Sequence, residues 1–307
     1  MENDMTTRHG SNLAPTLALL AACILWGSSF IAMKVAVTNF HPLFVVFARM
    51  SIAAVAFLFL MRRFRADYRA GDWKLIALMA LCEPCLYFVF EAYALQYTSA
   101  SQAGMVTAIL PLMVALGARL ALGERTAGRT YAGFCLSIVG VVWLTGVAVQ
   151  TENAPNPLLG NFLEFVAMCC ATGYMVLLRH LSSRYNAWFL TFAQAAVGAI
   201  FFLPAMALPG VQLPQELPLV PALCIVYLGL VISIGAYGLY NFGMSRVPAG
   251  QASAFVNLIP VVSVVLGCLL LGDTFTKQQM LAAVVVFAGV FLSQRRIPAA
   301  APPSETA

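Results

Sequence analysis

Residues 102–111 read Q-A-G-M-V-T-A-I-L-P, and residues 251–260 read Q-A-S-A-F-V-N-L-I-P. The offset of 149 positions continues without a gap: Leu120, Leu122 and Gly123 fall on Leu269, Leu271 and Gly272, Glu124 on Asp273, and Gly140 on Gly289. At a similar offset F-A-R (47–49) falls on F-A-Q (192–194), and the neighbourhood of Gly27 on that of Gly173. The chain is therefore a tandem of two similar halves, and the fold follows from what one half contains.

Of 307 residues, 61% are hydrophobic and 9% charged, against roughly 45–50% and 25% in soluble domains. Crossing a bilayer takes about 20 apolar residues. Stretches of that length lie at about 14–36, 42–61, 75–97, 101–122, 129–148, 158–179, 187–207, 219–242, 249–271 and 277–294. They predict an all-α integral membrane protein of ten transmembrane helices, with short loops and no room for a soluble catalytic domain. The first span lacks a small-residue cleavage site and is expected to be retained. Five helices per half is an odd number, so the second half enters the membrane from the opposite face. Residues 1–148 and 149–307 are thus expected to be inverted five-helix repeats around a central cavity, the second ending in a short disordered tail.

With the amino terminus inside, 14 of the 17 Lys and Arg residues fall on cytoplasmic loops and termini, Arg62, Arg63, Arg65, Arg69, Arg125, Arg295 and Arg296 among them. The positive-inside rule then puts both termini in the cytoplasm and the chain in the cell (inner) membrane. The excess positive charge faces anionic membrane lipids, not nucleic acid. Inverted repeats also suggest a mechanism, because two similar units can each adopt either of two packings and so alternate access between the two sides.

The W-G-S-S-F…K of the first helix (Trp26 to Phe30, Lys34), the Arg in the second, the Y-A-L-Q-Y-T-S-A-S-Q-A entry to the fourth, its I-L-P-L core and the closing L-G-E-R resemble the EamA-type branch of the drug/metabolite transporter superfamily. The second-half counterparts Y-N-F-G-M-S-R-V-P-A-G-Q-A-S-A-F, I-P-V and L-G-D-T-F-T are similar to that family's second repeat. The resemblance covers nearly the whole chain. It implies a carrier, usually an exporter, of small organic metabolites with a cavity between the repeats, and it leaves the substrate open.

Residues 82–95, C-E-P-C-L-Y-F-V-F-E-A-Y-A-L, place Glu83, Tyr87 and Glu91 at four-residue intervals, an oblique polar stripe on the third helix. Carboxylates at membrane depth are costly and point to function. Glu83 can equally be a structural, hydrogen-bonded acid. Candidate cations are Lys34, which can also snorkel to the surface, and Arg49, too deep to do so and either a structural ion partner or a substrate contact. The second half offers Gln194 in the place of Arg49, Asn257, and the tyrosines Tyr237 and Tyr240, which can be core residues as well as ligands. With Trp26, these are the expected substrate-binding residues. A charged wall facing an aromatic one suits an amphipathic solute such as an amino acid. Pro111 and Pro260 fall near the middle of the fourth and ninth helices, where each removes a backbone donor and is expected to kink a gating helix.

No phosphate-binding G-x-x-x-x-G-K-[ST] motif occurs and the three histidines have no metal-ligand spacing, so no cofactor, metal or catalytic residue is expected. Protons are a candidate coupling ion through Glu83 or Glu91, since desolvation favours the acid form and a nearby cation opposes it. A homo-oligomer is compatible with this plan. Two alternatives stand beside the exporter: a membrane-embedded thiol oxidoreductase using Cys82 and Cys85, and a flippase for a lipid-linked solute. Reporter fusions after Arg65 and after Asn153 should report opposite sides of the membrane; a cytoplasmic 150s loop would overturn the inverted arrangement.

Overall fold

The computed structural model describes residues 13–60, 71–123, 127–246 and 255–294. Arg8, the basic cluster Arg62, Arg63, Arg65 and Arg69, the Glu124–Arg125 turn, the Q-A-S-A of 251–254, Arg295, Arg296 and the expected disordered tail lie outside the described residues. The described residues form helices, with no strand beyond an isolated bridge between Thr151 and Ala154.

In chain order these are α1 (Leu13–Asn39), α2 (Pro42–Leu60), α3 (Trp73–Ala80, Leu81–Leu86 and Tyr87–Tyr97), α4 (Ala100–Val106, Thr107–Ile109 and Leu110–Leu122), α5 (Gly128–Gly146) and α6 (Pro157–Leu181). Then follow α7 (Ala187–Phe202), α8 (Leu219–Tyr227, Leu228–Ala236 and Tyr237–Met244), α9 (Leu258–Leu266 and Gly267–Leu271) and α10 (Lys277–Gln294). Eight of them, α1 to α8, are long and apolar enough to cross a membrane, and α9 and α10 are shorter apolar helices. Side chains are distributed as lipid demands. Phe59, Leu120, Ile200 and Leu269 are exposed, whereas Lys34, Arg49, Glu83, Glu91, Asn161, Glu164 and Asn241 are buried. The chain is a multi-pass membrane protein.

Local sequence sets the helix ends. Ser99 caps α4 by accepting from Gln102 N at 3.2 Å, Asn156 caps α6 by accepting from Leu159 N at 3.2 Å, and Asn186 caps α7 by accepting from Phe189 N at 2.8 Å. The two L-G turns end α4 and α9 alike, with Gly123 at φ 69° and Gly272 at φ 67°. That left-handed conformation favours a residue without Cβ.

Corresponding helices of the two halves are also interrupted alike. The middle of α3 (Leu81–Leu86) and of α8 (Leu228–Ala236) is π-helical. In α3 the interruption is complete at Glu83, whose φ of −148° and ψ of 117° are extended, just before Pro84. The third helix is therefore two rods, not one continuous stripe.

α5 and α10 make close backbone contact. A Cβ on Gly289 would stand 2.5 Å from the Gly133 carbonyl oxygen and 2.6 Å from Ser137 N. Ser137 Oγ donates to Val286 O at 3.0 Å across the same seam. Lipid gives apolar helices no reason to associate, so small residues that admit close approach hold such pairs together. Gly289→Leu should destabilise the protein by about 1–3 kcal/mol through overpacking, seen as a lower midpoint in detergent-solubilised thermal unfolding, while Leu269→Ala on the exposed face should leave it unchanged.

Candidate functional site

At the centre of the bundle lies a cavity of about 40 Å³, with walls from α1, α2, α3, α4, α6, α8 and α9. Its charged side is built on α2 and α3. Arg49 and Glu91 are both buried, with Nη1 and Oε2 3.8 Å apart. Arg49 Nε donates to Ser233 Oγ at 3.0 Å, and its guanidinium sits 3.8 Å from the centre of the Phe88 ring. Tyr87 donates to Glu91 Oε1 at 2.8 Å, one helical turn away. The Tyr237 hydroxyl donates to the Glu83 carboxyl, and Gln194 Nε2 donates to the Glu83 backbone carbonyl at 2.9 Å. The break at Glu83 thus frees a carbonyl that the neighbouring repeat satisfies. Ser233 in turn donates to Leu228 O at 2.9 Å, five residues back within the π-helical segment of α8. Both interrupted helices present polar groups at the same depth.

Aromatic rings adjoin these groups. Trp26 packs edge-on to Tyr237 at 5.2 Å and against Tyr240 at 4.6 Å, and Tyr174 lies 6.2 Å from Tyr237. Trp26 Nε1, Gln194 Oε1 and Asn257 Oδ1 are buried without a hydrogen-bond partner among the described residues. Trp26 lines the cavity and Asn257 stands two residues before the lining residue Ile259. These atoms are hydrogen-bonding capacity that a bound solute can use.

Of the expected binding residues, Trp26, Arg49, Glu83, Tyr87, Glu91 and Tyr237 line one cavity. Gln194 lines a smaller adjoining one with Met50, Pro84 and Ser233, and Tyr240 reaches the centre through Trp26. Lys34 lies elsewhere. Its ammonium donates to Leu95 O at 2.7 Å, Thr98 O at 3.0 Å and Asn153 O at 2.7 Å. It caps the carbonyl end of α3 and fastens it to the 149–157 connection, an arrangement suited to a cation at a helix carboxyl terminus. Pro111 stands in the first turn of Leu110–Leu122 and Pro260 in the first turn of Leu258–Leu266, where a missing N–H costs nothing. The interruption comes before each proline, as the 3₁₀ turn Thr107–Ile109 in α4 and the break at Asn257 in α9.

Sequence reasoning assigned no role to Phe88, Ser29, Thr107, Met168, Ala171 or Met175, all of which line the cavity. A signal for three of them existed: 168, 171 and 175 continue a helical face that includes Glu164 and Asn161. The eight cysteines are free, with Cys85 wholly buried and Cys82 partly exposed, and no disulfide joins the C-x-x-C pair.

A buried, charged and aromatic cavity inside a multi-pass helical bundle defines the class as membrane transporters. Two consecutive stretches, residues 14–146 and 158–294, match the EamA-like transporter family, and the chain belongs to that family. Among curated relatives it is 29% identical to the "Uncharacterized transporter YcxC" of Bacillus subtilis (strain 168), over 92% of this chain and 93% of that protein. It is 25% identical to a "Probable amino-acid metabolite efflux pump" of Escherichia coli (strain K12), over 90% of this chain and 93% of that protein. It is also 25% identical to a "Probable terminal-alkyne amino-acid exporter" of Streptantibioticus cattleyicolor, over 91% and 93%. A crystal structure at 20% identity shares the fold with a TM-score of 0.64, covering 92% of this chain and 99% of that one.

Breaking a buried ion pair from one side strands the other charge, at a cost of about 3–5 kcal/mol. Arg49→Ala should therefore lower stability by that amount, more than the double change Arg49→Met with Glu91→Gln. A double-mutant cycle on unfolding in detergent measures the coupling, and additive effects would show that the pair contributes no interaction of its own.

Proposed function

We propose that the protein is a secondary transporter that exports small amphipathic organic metabolites, amino acids or related compounds, by alternating access. The carrying observation is the Arg49–Glu91 pair on the wall of the central cavity that Trp26 and Tyr237 also line. A zwitterion can replace the partners of such a pair, its carboxylate taking Arg49 and its ammonium one of the central acids. Its side chain then meets the aromatic side, and Gln194, Asn257 and Tyr240 supply further contacts around it. The names of the efflux relatives support the same solute class.

In this reading ten helices span the inner membrane as two inverted five-helix repeats, 1–148 and 149–307, with both termini cytoplasmic. The matched π-helical segments of α3 and α8 support that plan, because they give each half a pliable helix at the cavity. Lys34 acts as an external latch, released when α3 moves away from the 149–157 connection. Pro111 and Pro260 mark the flexible points of α4 and α9. Protons are the proposed exchange ion, membrane lipids surround the exposed apolar belt, and a homo-oligomer is compatible with it.

The test is flux from proteoliposomes loaded with an equimolar mixture of the proteinogenic amino acids, read by mass spectrometry. Selective loss of apolar or aromatic amino acids is expected, and no loss of any would overturn the reading. In the same assay, at equal protein abundance, Pro111→Ala and Pro260→Ala should each reduce flux; normal flux in both would confine the prolines to packing.

A further inference from the structure

Glu164 on α6 is wholly buried, and neither of its carboxyl oxygens has a hydrogen-bond partner among the described residues. The other two central acids are placed differently: Glu83 accepts from Tyr237, and Glu91 accepts from Tyr87 and pairs with Arg49. Position 164 belongs to the face of α6 that continues through the lining residues Met168, Ala171 and Met175, one turn beyond the cavity toward the Lys34 latch. On its other side, Asn161 is committed to Thr98, Gln102 and Thr145, so it offers Glu164 nothing.

The charged and titratable groups around it lie on α3, which packs directly against α6, and beyond. The Glu91 carboxylate is within electrostatic reach of Glu164, and Tyr87 stands within reach of Glu83, Glu91 and Glu164 together. Arg49, the cation of this centre, is held by Glu91, Ser233 and Phe88. Lys34 is held by three carbonyls. From α4 the adjacent groups are the neutral Gln102 and Thr107. Arg49 is thus already committed to Glu91, and an acid without any partner cannot remain a bare anion in a site walled from water.

We propose that Glu164 is the proton-binding site of the transport cycle, occupied by a proton when the cavity holds no solute and emptied when a solute ammonium takes the proton's place. This rests on the exporter reading and selects, among the three acids, the one that couples. One proton bound at Glu164 moves inward for each solute molecule that moves outward. The carboxyl alternates between its acid form and a carboxylate paired to the ammonium, so that no unpaired charge is left buried.

The experiment uses purified wild type, Glu164→Gln, Glu164→Asp, Glu83→Gln and Glu91→Gln in liposomes. Infrared difference spectra recorded across a pH change, with no solute present, report the carboxylic-acid C=O stretch. The expected result is a band in the wild type, lost in Glu164→Gln and kept in the other variants; a band unchanged in Glu164→Gln overturns the proposal. The second readout is flux of the amino-acid mixture with and without an imposed pH gradient. Glu164→Gln should lose all stimulation by the gradient, and Glu164→Asp should restore it. Stimulation that persists in Glu164→Gln, or a wild type that moves solute with no response to the gradient, overturns coupling at this residue. A wild type that moves no amino acid under any gradient would count against the exporter reading, and the infrared result would still decide whether Glu164 holds a proton.

Discussion

Hydrocarbon offers no hydrogen bonds, so every polar group carried into it must be satisfied by the protein itself. Arg49 shows how far this constraint organises the bundle. Its guanidinium cannot lose its charge, so it draws in an acid from α3, a hydroxyl from α8 and an aromatic face from α3. Those contacts require Ser233 to point inward from a π-helical stretch and Glu91 to be steadied by Tyr87. The geometry of three helices follows from one residue that has nowhere else to go.

The two halves meet this constraint in different currencies. The first supplies Arg49, Glu83 and Glu91, the second supplies Glu164 and several neutral donors, and both supply rings. Gln194 occupies the repeat position of Arg49, and its amide is used to satisfy the carbonyl exposed at Glu83. Duplication thus gave two similar scaffolds, and divergence at a few inward positions, Arg49 and Gln194 among them, made their polar chemistry unlike. A symmetric centre with two guanidiniums facing each other would repel itself at a depth where little screening is available.

Much of this was legible beforehand because lipid simplifies the code. Span lengths follow from apolar runs, and the glycines of the L-G turns suit the two left-handed caps. Depth alone marked Arg49, Glu83 and Glu91 as inward-facing. Other features depended on the partners a residue meets in space. Lys34 sits near a helix end, where snorkelling and cavity lining look identical in sequence; only the convergence of Leu95, Thr98 and Asn153 carbonyls distinguishes capping. The prolines suggested kinks at their own positions, whereas the neighbouring 3₁₀ turn and the break at Asn257 absorb the bend first, leaving each proline in a first turn where it fits. Glu83 and Glu91 look like two points on one helical stripe. The extended backbone at Glu83 shows that they belong to separate rods.

The cavity holds about 40 Å³, room for about three water molecules. Two of its lining residues, Met168 and Met175, are among the most adaptable side chains in proteins. An ion pair at fixed geometry and a yielding thioether wall make different demands on a guest. Under the proposed function the head group would be read strictly and the tail loosely, so that a carrier built this way would accept natural and synthetic amino acids that share a backbone but differ in side chain. In a cell, such tolerance amounts to resistance: toxic analogues would leave by the same door as the metabolites they imitate.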